Sequence, residues 1–130
     1  MPKFNANLSM MFNEVPFLER FGAAARAGFK GVEFLFPYDF QPQQIRDELD
    51  RHRLEMVLFN MPPGDFAAGD RGLACDPARA GEFKDGVGKS LEYAKVLGVK
   101  RLHVMAGLKP RGVVEETMRE TYLQNLRYAG

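Results

Sequence analysis

Four times along this chain a short run with strand character gives way to a longer segment with helical spacing. The strand-like runs are Phe4–Leu8, Lys30–Phe36, Leu54–Asn60 and Arg101–Ala106. The helical segments are Glu14–Ala27, Gln43–His52, Ala78–Leu97 and Glu115–Ala129. In the first helix Phe17, Leu18, Phe21, Ala24 and Ala25 recur at helical intervals, and Gly28 stands where a C-terminal stop belongs. Ile45 and Leu49 mark the second helix. Phe83, Val87, Leu91, Ala94 and Leu97 predict one apolar stripe on the third, and Met118, Tyr122, Asn125 and Leu126 mark the fourth. Gly28-Phe29-Lys30-Gly31 and Gly98-Val99-Lys100-Arg101 are near repeats of one helix-to-strand device. Strict alternation predicts an α/β chain with a parallel sheet and its helices packed outside, and the self-similarity favours a repeated βα architecture.

Four βα units close in one of two ways. They form a complete open sheet, or they form the first half of a (β/α)8 barrel, whose usual size is about 250 residues. A central strand of an open doubly wound sheet is apolar on both faces, because helices cover both. Here the strands carry polar residues on one face: Asn5 and Asn7, Glu33, Asn60 and His103. An open sheet would bury these against helices at about 1–3 kcal/mol for each group left unpaired. The interior of a barrel near its C-terminal mouth can hold them around a ligand. The expectation is one (βα)4 half-barrel domain over residues 1–130.

The stretch Leu58–Cys75, LFNMPPGDFAAGDRGLAC, is long for a βα connection, where about 2–6 residues are usual. It breaks from its strand at Pro62-Pro63-Gly64 and carries Asn60, Asp65, Asp70 and Arg71, while Gly64, Gly69 and Gly72 suggest a specified backbone path. Long loops held by rigid strands are disproportionately functional. Arg71 can grip a substrate carboxylate or keto-acid oxygen through its planar fork. The competing reading is a solvated loop with a local Asp–Arg pair. Glu33, mid-strand between Val32 and Phe34, either pairs inside the barrel or lies near the reaction, since an unpaired buried carboxylate is costly. His103, among Leu102, Val104 and Met105, reads as a hydrogen-bonded core residue, a site-lining residue or a metal ligand. His52, between Arg51 and Arg53, reads as surface.

Several function classes lose support. Eighteen basic residues balance seventeen acidic ones, for a net charge of +1 with no basic tract, which argues against nucleic acid as a partner. One cysteine, Cys75, excludes an internal disulfide, and with two histidines no Cys/His metal cluster is readable. No apolar run approaches the roughly 20 residues of a membrane span, and MPKFNANLSMMFNE lacks the apolar core of a signal peptide. A cytoplasmic location is expected. Gly86-Val87-Gly88-Lys89-Ser90 imitates the end of a phosphate-binding loop, but Phe83 stands where the pattern needs glycine, and the segment falls inside a helical stripe.

FNANLSMMFNE, GFKGVEFLFPYDF, NMPPGDFAAGDRGLAC, FKDGV and NLRYA together resemble the N-terminal half of the hydroxypyruvate isomerase family, within the xylose-isomerase-like TIM barrels. The resemblance runs over essentially the whole chain. It implies interconversion of hydroxypyruvate and tartronate semialdehyde through an enediol, or the similar isomerisation of the related 2-oxo-tetronate isomerases. It implies substrate-lining roles for Asn7, Glu33, Asn60, Asp70, Arg71 and His103, with Asp70 supporting the loop rather than doing chemistry. The family's two catalytic glutamates and metal ligands lie on later strands. No catalytic or metal-binding residue is therefore expected in this chain, no cofactor is expected for it alone, and Mg or Mn belongs to the complete barrel. The expected partners are a small hydroxy or keto acid, and either a second copy or the missing half-barrel. The competing reading is a non-catalytic βα half-barrel that binds a small acid or a partner chain.

Overall fold

A computed structural model describes residues 1–130. Its elements alternate throughout: β1 Asn5–Asn7, α1 Phe17–Arg26, β2 Gly31–Phe34, α2 Pro42–His52, β3 Glu55–Asn60, α3 Ala80–Leu97, β4 Leu102–His103 and α4 Glu115–Ala129. The strands form a parallel sheet in the order β1-β2-β3-β4. The chain divides into two compact units. One comprises Met1–Phe59 with Tyr93–Leu102, and the other Asn60–Glu92 with His103–Gly130.

In the first unit the register sets which side chains share a face. Asn5, Ala6 and Asn7 pair with Gly31, Val32 and Glu33. Ala6, Val32 and Phe34 are buried, while Asn5, Asn7 and Glu33 are half-buried on the opposite face. This is the period-two alternation of a pleated strand. Between β2 and β3 the register slips: Val32 pairs with Met56 but Glu33 pairs with Leu58, so β3 carries one extra residue. Such bulges re-aim side chains and recur beside functional sites.

The core beneath this sheet joins Ala6, Leu8, Phe21, Ala24, Val32, Phe34, Ile45, Leu49, Phe59, Tyr93 and Leu97. Phe17 lies edge-on to Phe21 at 5.4 Å and to Phe34 at 5.2 Å, geometries that the ring quadrupoles favour. The Tyr93 hydroxyl, carried inward with its ring, donates to the Phe40 carbonyl at 2.6 Å.

Helix ends follow local chemistry. Helix α1 begins at Phe17 rather than Glu14, because Pro16 takes an extended conformation and disfavours helix in the residue before it. It ends as its sequence predicts: Phe29 N–H donates to Ala24 O at 3.1 Å and Gly28 N–H to Ala25 O at 3.0 Å, satisfying two terminal carbonyls. Helix α2 ends the same way at Arg53, a non-glycine residue at φ 54°. One stripe is corrected. Leu91 is 46% exposed, and the buried side of α3 runs through Phe83, Val87, Ser90, Tyr93 and Leu97. Each i+4 step rotates by about 40° around a 3.6-residue turn, so two successive steps carry Leu91 off the stripe.

The second unit is built on the long loop. Strand β4 is shorter than the predicted Arg101–Ala106 because the loop takes over its backbone. Gly72 bridges Ala106 in antiparallel fashion, and Cys75 N–H donates to Ala106 O at 2.8 Å. The buried Asn125 of α4 donates to Ala74 O at 2.9 Å, and Ser90 Oγ donates to Gly86 O at 2.7 Å. That internal bond places the glycine–lysine–serine stretch inside α3, where a phosphate-binding loop has no room to form.

Candidate functional site

Glu33 is the centre of the first polar set. Asn5 Nδ2 donates to its Oε2 at 2.7 Å, and Asn7 Nδ2 donates to its Oε1 at 3.2 Å. Both amides reach the same carboxylate because β1 and β2 are paired in register and Asn5 and Asn7 lie two residues apart. Asn7 is itself fixed, its Oδ1 accepting from Ser9 N–H at 3.0 Å, while Ser9 Oγ accepts from Leu35 N–H at 2.8 Å. Arg20 closes the β1–α1 loop beneath, donating to Leu8 O and Val15 O. Glu33 is thus paired, and its half-exposed oxygens keep acceptor sites for a ligand. Asn7 and Glu33 are brought together as predicted. Asn5, expected on the same polar face as Asn7, joins them, while Ser9 carries no signal of its own in the sequence.

A separate polar set, in the second unit, joins Asn60 and His103. Asn60 is buried at 6% exposure, and its Oδ1 lies 3.2 Å from His103 Nδ1. Its Nδ2 reaches the Met105 sulfur at 3.7 Å. Met61 N–H donates to His103 O at 3.0 Å, anchoring the histidine's backbone. The ring of His103 is exposed beyond that anchor.

The loop holds itself. Asp70 Oδ2 accepts from Asp65 N–H at 2.7 Å and from Arg79 Nη1 at 2.8 Å. Asp65 Oδ1 accepts from Ala68 N–H, and Gly72 N–H donates to Pro63 O at 2.9 Å. Arg79 also clasps Glu82 with two bonds, at 2.8 and 2.9 Å. The Arg79 guanidinium, and then the Asp65 N–H, hold the Asp70 carboxyl below its ordinary range. Asp70 is tied into the loop, and its ion-pair partner is Arg79 and not the adjacent Arg71. Nothing local in the sequence links positions 70 and 79; the single 3₁₀ turn Pro77–Arg79, whose Asp76 cap accepts from Ala78 N–H, swings the arginine back.

Arg71 is exposed and folds over its own loop. Its guanidinium carbon stands 4.1 Å from the Phe66 ring centroid, and Nη1 donates to Phe66 O and Asp70 O. Two carbonyls and one ring hold the fork in place while Nε and Nη2 remain available. Cys75 is buried, and burial pushes its thiol up, against a nucleophilic role. His52 is less exposed than predicted: it lies 3.4 Å from Glu48 Oε2 and packs over Gly22. The chain brings no three His, Cys, Asp or Glu side chains together in a metal-ligand set.

Four βα units in sequence order on one parallel sheet are the repeating unit of a (β/α)8 barrel. The comparisons with known proteins agree. A family model described as xylose isomerase-like TIM barrel matches residues 21–130, and the chain belongs to that family. It is 54% identical over 129 residues to a 2-oxo-tetronate isomerase of Cupriavidus necator, covering 99% of this chain and 50% of that protein. It is 48% identical over the same length to a hydroxypyruvate isomerase of Escherichia coli, again covering 50% of it. Among solved structures, one from Brucella melitensis, described as an AP endonuclease of family 2, superposes with a TM-score of 0.96 at 56% identity over 99% of this chain and 50% of that one. A D-allulose 3-epimerase from Methylomonas sp. shares the fold alone, with a TM-score of 0.70 at 17% identity over 98% of this chain and 46% of its own. The chain spans about half the length of the curated relatives it matches.

Proposed function

We propose that these 130 residues supply the substrate-lining half of an isomerase that moves a carbonyl between adjacent carbons of a small hydroxy-keto acid. The observation that carries this reading is the identity of about half of all positions, over nearly the whole chain, with a 2-oxo-tetronate isomerase and a hydroxypyruvate isomerase. Hydroxypyruvate and the four-carbon 2-oxo acid differ by one carbon and share the 2-oxo carboxylate, so one site geometry serves either. Two 2-oxo-tetronate isomerases, at 54% and 50% identity, stand beside the hydroxypyruvate enzyme and keep both substrates in the proposal.

In the proposed reaction a proton leaves the carbon beside the carbonyl, an enediolate forms, and a proton returns to the former carbonyl carbon. No atom is gained or lost. The carboxylates that move this proton come from outside the 130 residues, and the chain alone does not turn over. A divalent metal in such a barrel would polarise the carbonyl, but this chain offers no ligand set for it. What this chain contributes is binding. In one unit Arg71 keeps the donors of Nε and Nη2 for a carboxylate, and in the other Glu33 keeps acceptor sites for hydroxyls.

The exposed end of the first unit's sheet supports a covering half-barrel. Phe4 is 74% exposed, and an open cleft of about 910 Å³ lined by Phe4, Gly31, Val57 and Arg101 lies at the N-terminal ends of its strands. Strand β1 is also an edge of the sheet, and an unpaired edge calls for a second half or a second copy.

The test joins this chain to the second half of the Cupriavidus necator relative and follows hydroxypyruvate and 2-oxo-tetronate by NMR in deuterated water with magnesium or manganese. Turnover of either, with deuterium entering beside the carbonyl, is the expected result. A folded chimera that turns over neither refutes the proposal.

A further inference from the structure

Resting on that reading, we infer that Asn60 is a positioning residue: it fixes the tautomer of His103 so that the ring presents a bare Nε2, an acceptor for a substrate hydroxyl. Which end of the Asn60 amide faces the ring decides the tautomer. Its Nδ2 points at the Met105 sulfur at 3.7 Å, and thioether sulfur only accepts. The reversed amide would set an oxygen lone pair against the sulfur lone pairs. Met105 therefore selects the orientation in which Oδ1 faces His103 Nδ1, at 3.2 Å.

A carbonyl oxygen has no proton to give, so the bond exists only if Nδ1 carries the hydrogen. In neutral imidazole one nitrogen donates and the other accepts, and fixing one fixes the other. Nε2 is then unprotonated. It has no hydrogen-bond partner within the chain and sits on an exposed ring. The Asn60 amide is 6% exposed, so water competes poorly for its oxygen. The Met61 N–H bond to His103 O at 3.0 Å fixes the backbone from which the ring projects.

This assigns a direction to the contact. A hydroxyl of a hydroxy acid donates to Nε2; a bare ketone oxygen, which only accepts, gains nothing there. The neutral ring thus binds the hydroxyl-bearing carbon of the substrate and leaves the carbonyl to other groups.

The decisive experiment is long-range proton–nitrogen NMR of the ¹⁵N-histidine-labelled protein at a pH where His103 is neutral. The variants are Asn60→Leu, which removes the acceptor, and Asn60→Asp, which restores it. The expected result is an Nδ1–H to Nε2–H ratio higher in the wild type than in Asn60→Leu by a factor on the order of fivefold, which a typical net hydrogen bond supplies. Asn60→Leu should shift the proton to Nε2, and Asn60→Asp should return it to Nδ1. A wild-type ring protonated mainly on Nε2 overturns the inference by itself, whether or not the leucine variant folds. An unchanged tautomer in folded Asn60→Leu also overturns it. Added glycerate, a hydroxy acid with no carbonyl to isomerise, should perturb Nε2 more than Nδ1; the reverse pattern refutes the hydroxyl contact. None of these signals depends on turnover, so a failed isomerase assay and a failed tautomer assignment are separable.

Discussion

Gly72→Ala tests whether the long loop is held by backbone fit. Gly72 stands at φ 112°, in a region that side chains avoid. A Cβ built there would lie 2.2 Å from Met105 O and 2.5 Å from Met105 C, both backbone atoms that no rotamer change can move. The dihedral strain alone costs about 1–3 kcal/mol. Relief of the overlap must separate residues 72 and 105, and this disturbs the Gly72–Pro63 and Cys75–Ala106 hydrogen bonds at 2.9 and 2.8 Å, worth about 1 kcal/mol each. The sum is about 3–5 kcal/mol, a large part of the ~5–15 kcal/mol that stabilises an ordinary domain. The control is Gly69→Ala. Gly69 shares the positive dihedral, φ 110°, but a Cβ there meets nothing within 4 Å, so only the strain cost of about 1–3 kcal/mol applies. Urea unfolding followed by far-ultraviolet circular dichroism suits a chain without tryptophan. Gly72→Ala should lose about 2 kcal/mol more than Gly69→Ala, the two disturbed bonds being the difference. Equal losses would refute the close approach of residues 72 and 105.

Three further substitutions and one labelling experiment probe the remaining elements. Glu33→Gln keeps the shape but turns an NH2 toward the Asn5 or Asn7 amide, leaving a donor facing a donor; a loss of about 1 kcal/mol is expected in the same unfolding assay. Asp70, held below its ordinary range by Arg79 and by the Asp65 N–H, contributes loop order that is present above the unfolded carboxylate value. That order is lost as pH falls through the folded one. The Asp70 carboxyl-carbon resonance should therefore keep its position until below about pH 4 and then move, and in Arg79→Ala that step should shift to higher pH. Arg53→Gly removes left-handed strain of about 1–2 kcal/mol at φ 54° against a smaller entropic cost, so a net gain of about 0.5–1 kcal/mol should raise the urea midpoint. Cys75, buried and with its thiol pushed up, should react with a disulfide reagent at pH 8 far more slowly in the native protein than in urea.

The alternating architecture could be read from residue patterns because each βα unit is local: Gly28 and Phe29 end their helix with bonds reaching three and five positions back. The polar face was readable for the same reason, since alternation along β1 alone places Asn5 and Asn7 together. What the pattern missed involves distance or rotation. Leu91 fails because a chain of i+4 steps drifts around the helix. Arg79 fails because its bond to Asp70 spans nine positions and depends on a 3₁₀ turn. The contraction of β4 depends on Ala106 pairing with Gly72, thirty-four positions earlier, and no local propensity encodes that.

The groups implied to line the substrate divide by what they have left to offer. Asp70 spends one oxygen on both Arg79 and the Asp65 N–H, and Asn60 has its amide engaged at both ends. Turning either side chain releases the structure around it, and Asp70 keeps only Oδ1 outside those bonds. Glu33, Arg71 and His103 are different. Each is fixed on one side by a partner of this chain and retains hydrogen-bonding capacity on the other. A ligand that meets any one of these groups adds bonds there without breaking any, so that contact needs no prior reorganisation. The same division predicts how substitutions fall. Loss of Asp70 or Asn60 should act through loop order or a neighbour's protonation, whereas loss of Arg71 should leave the fold intact and weaken only the hold on the acid.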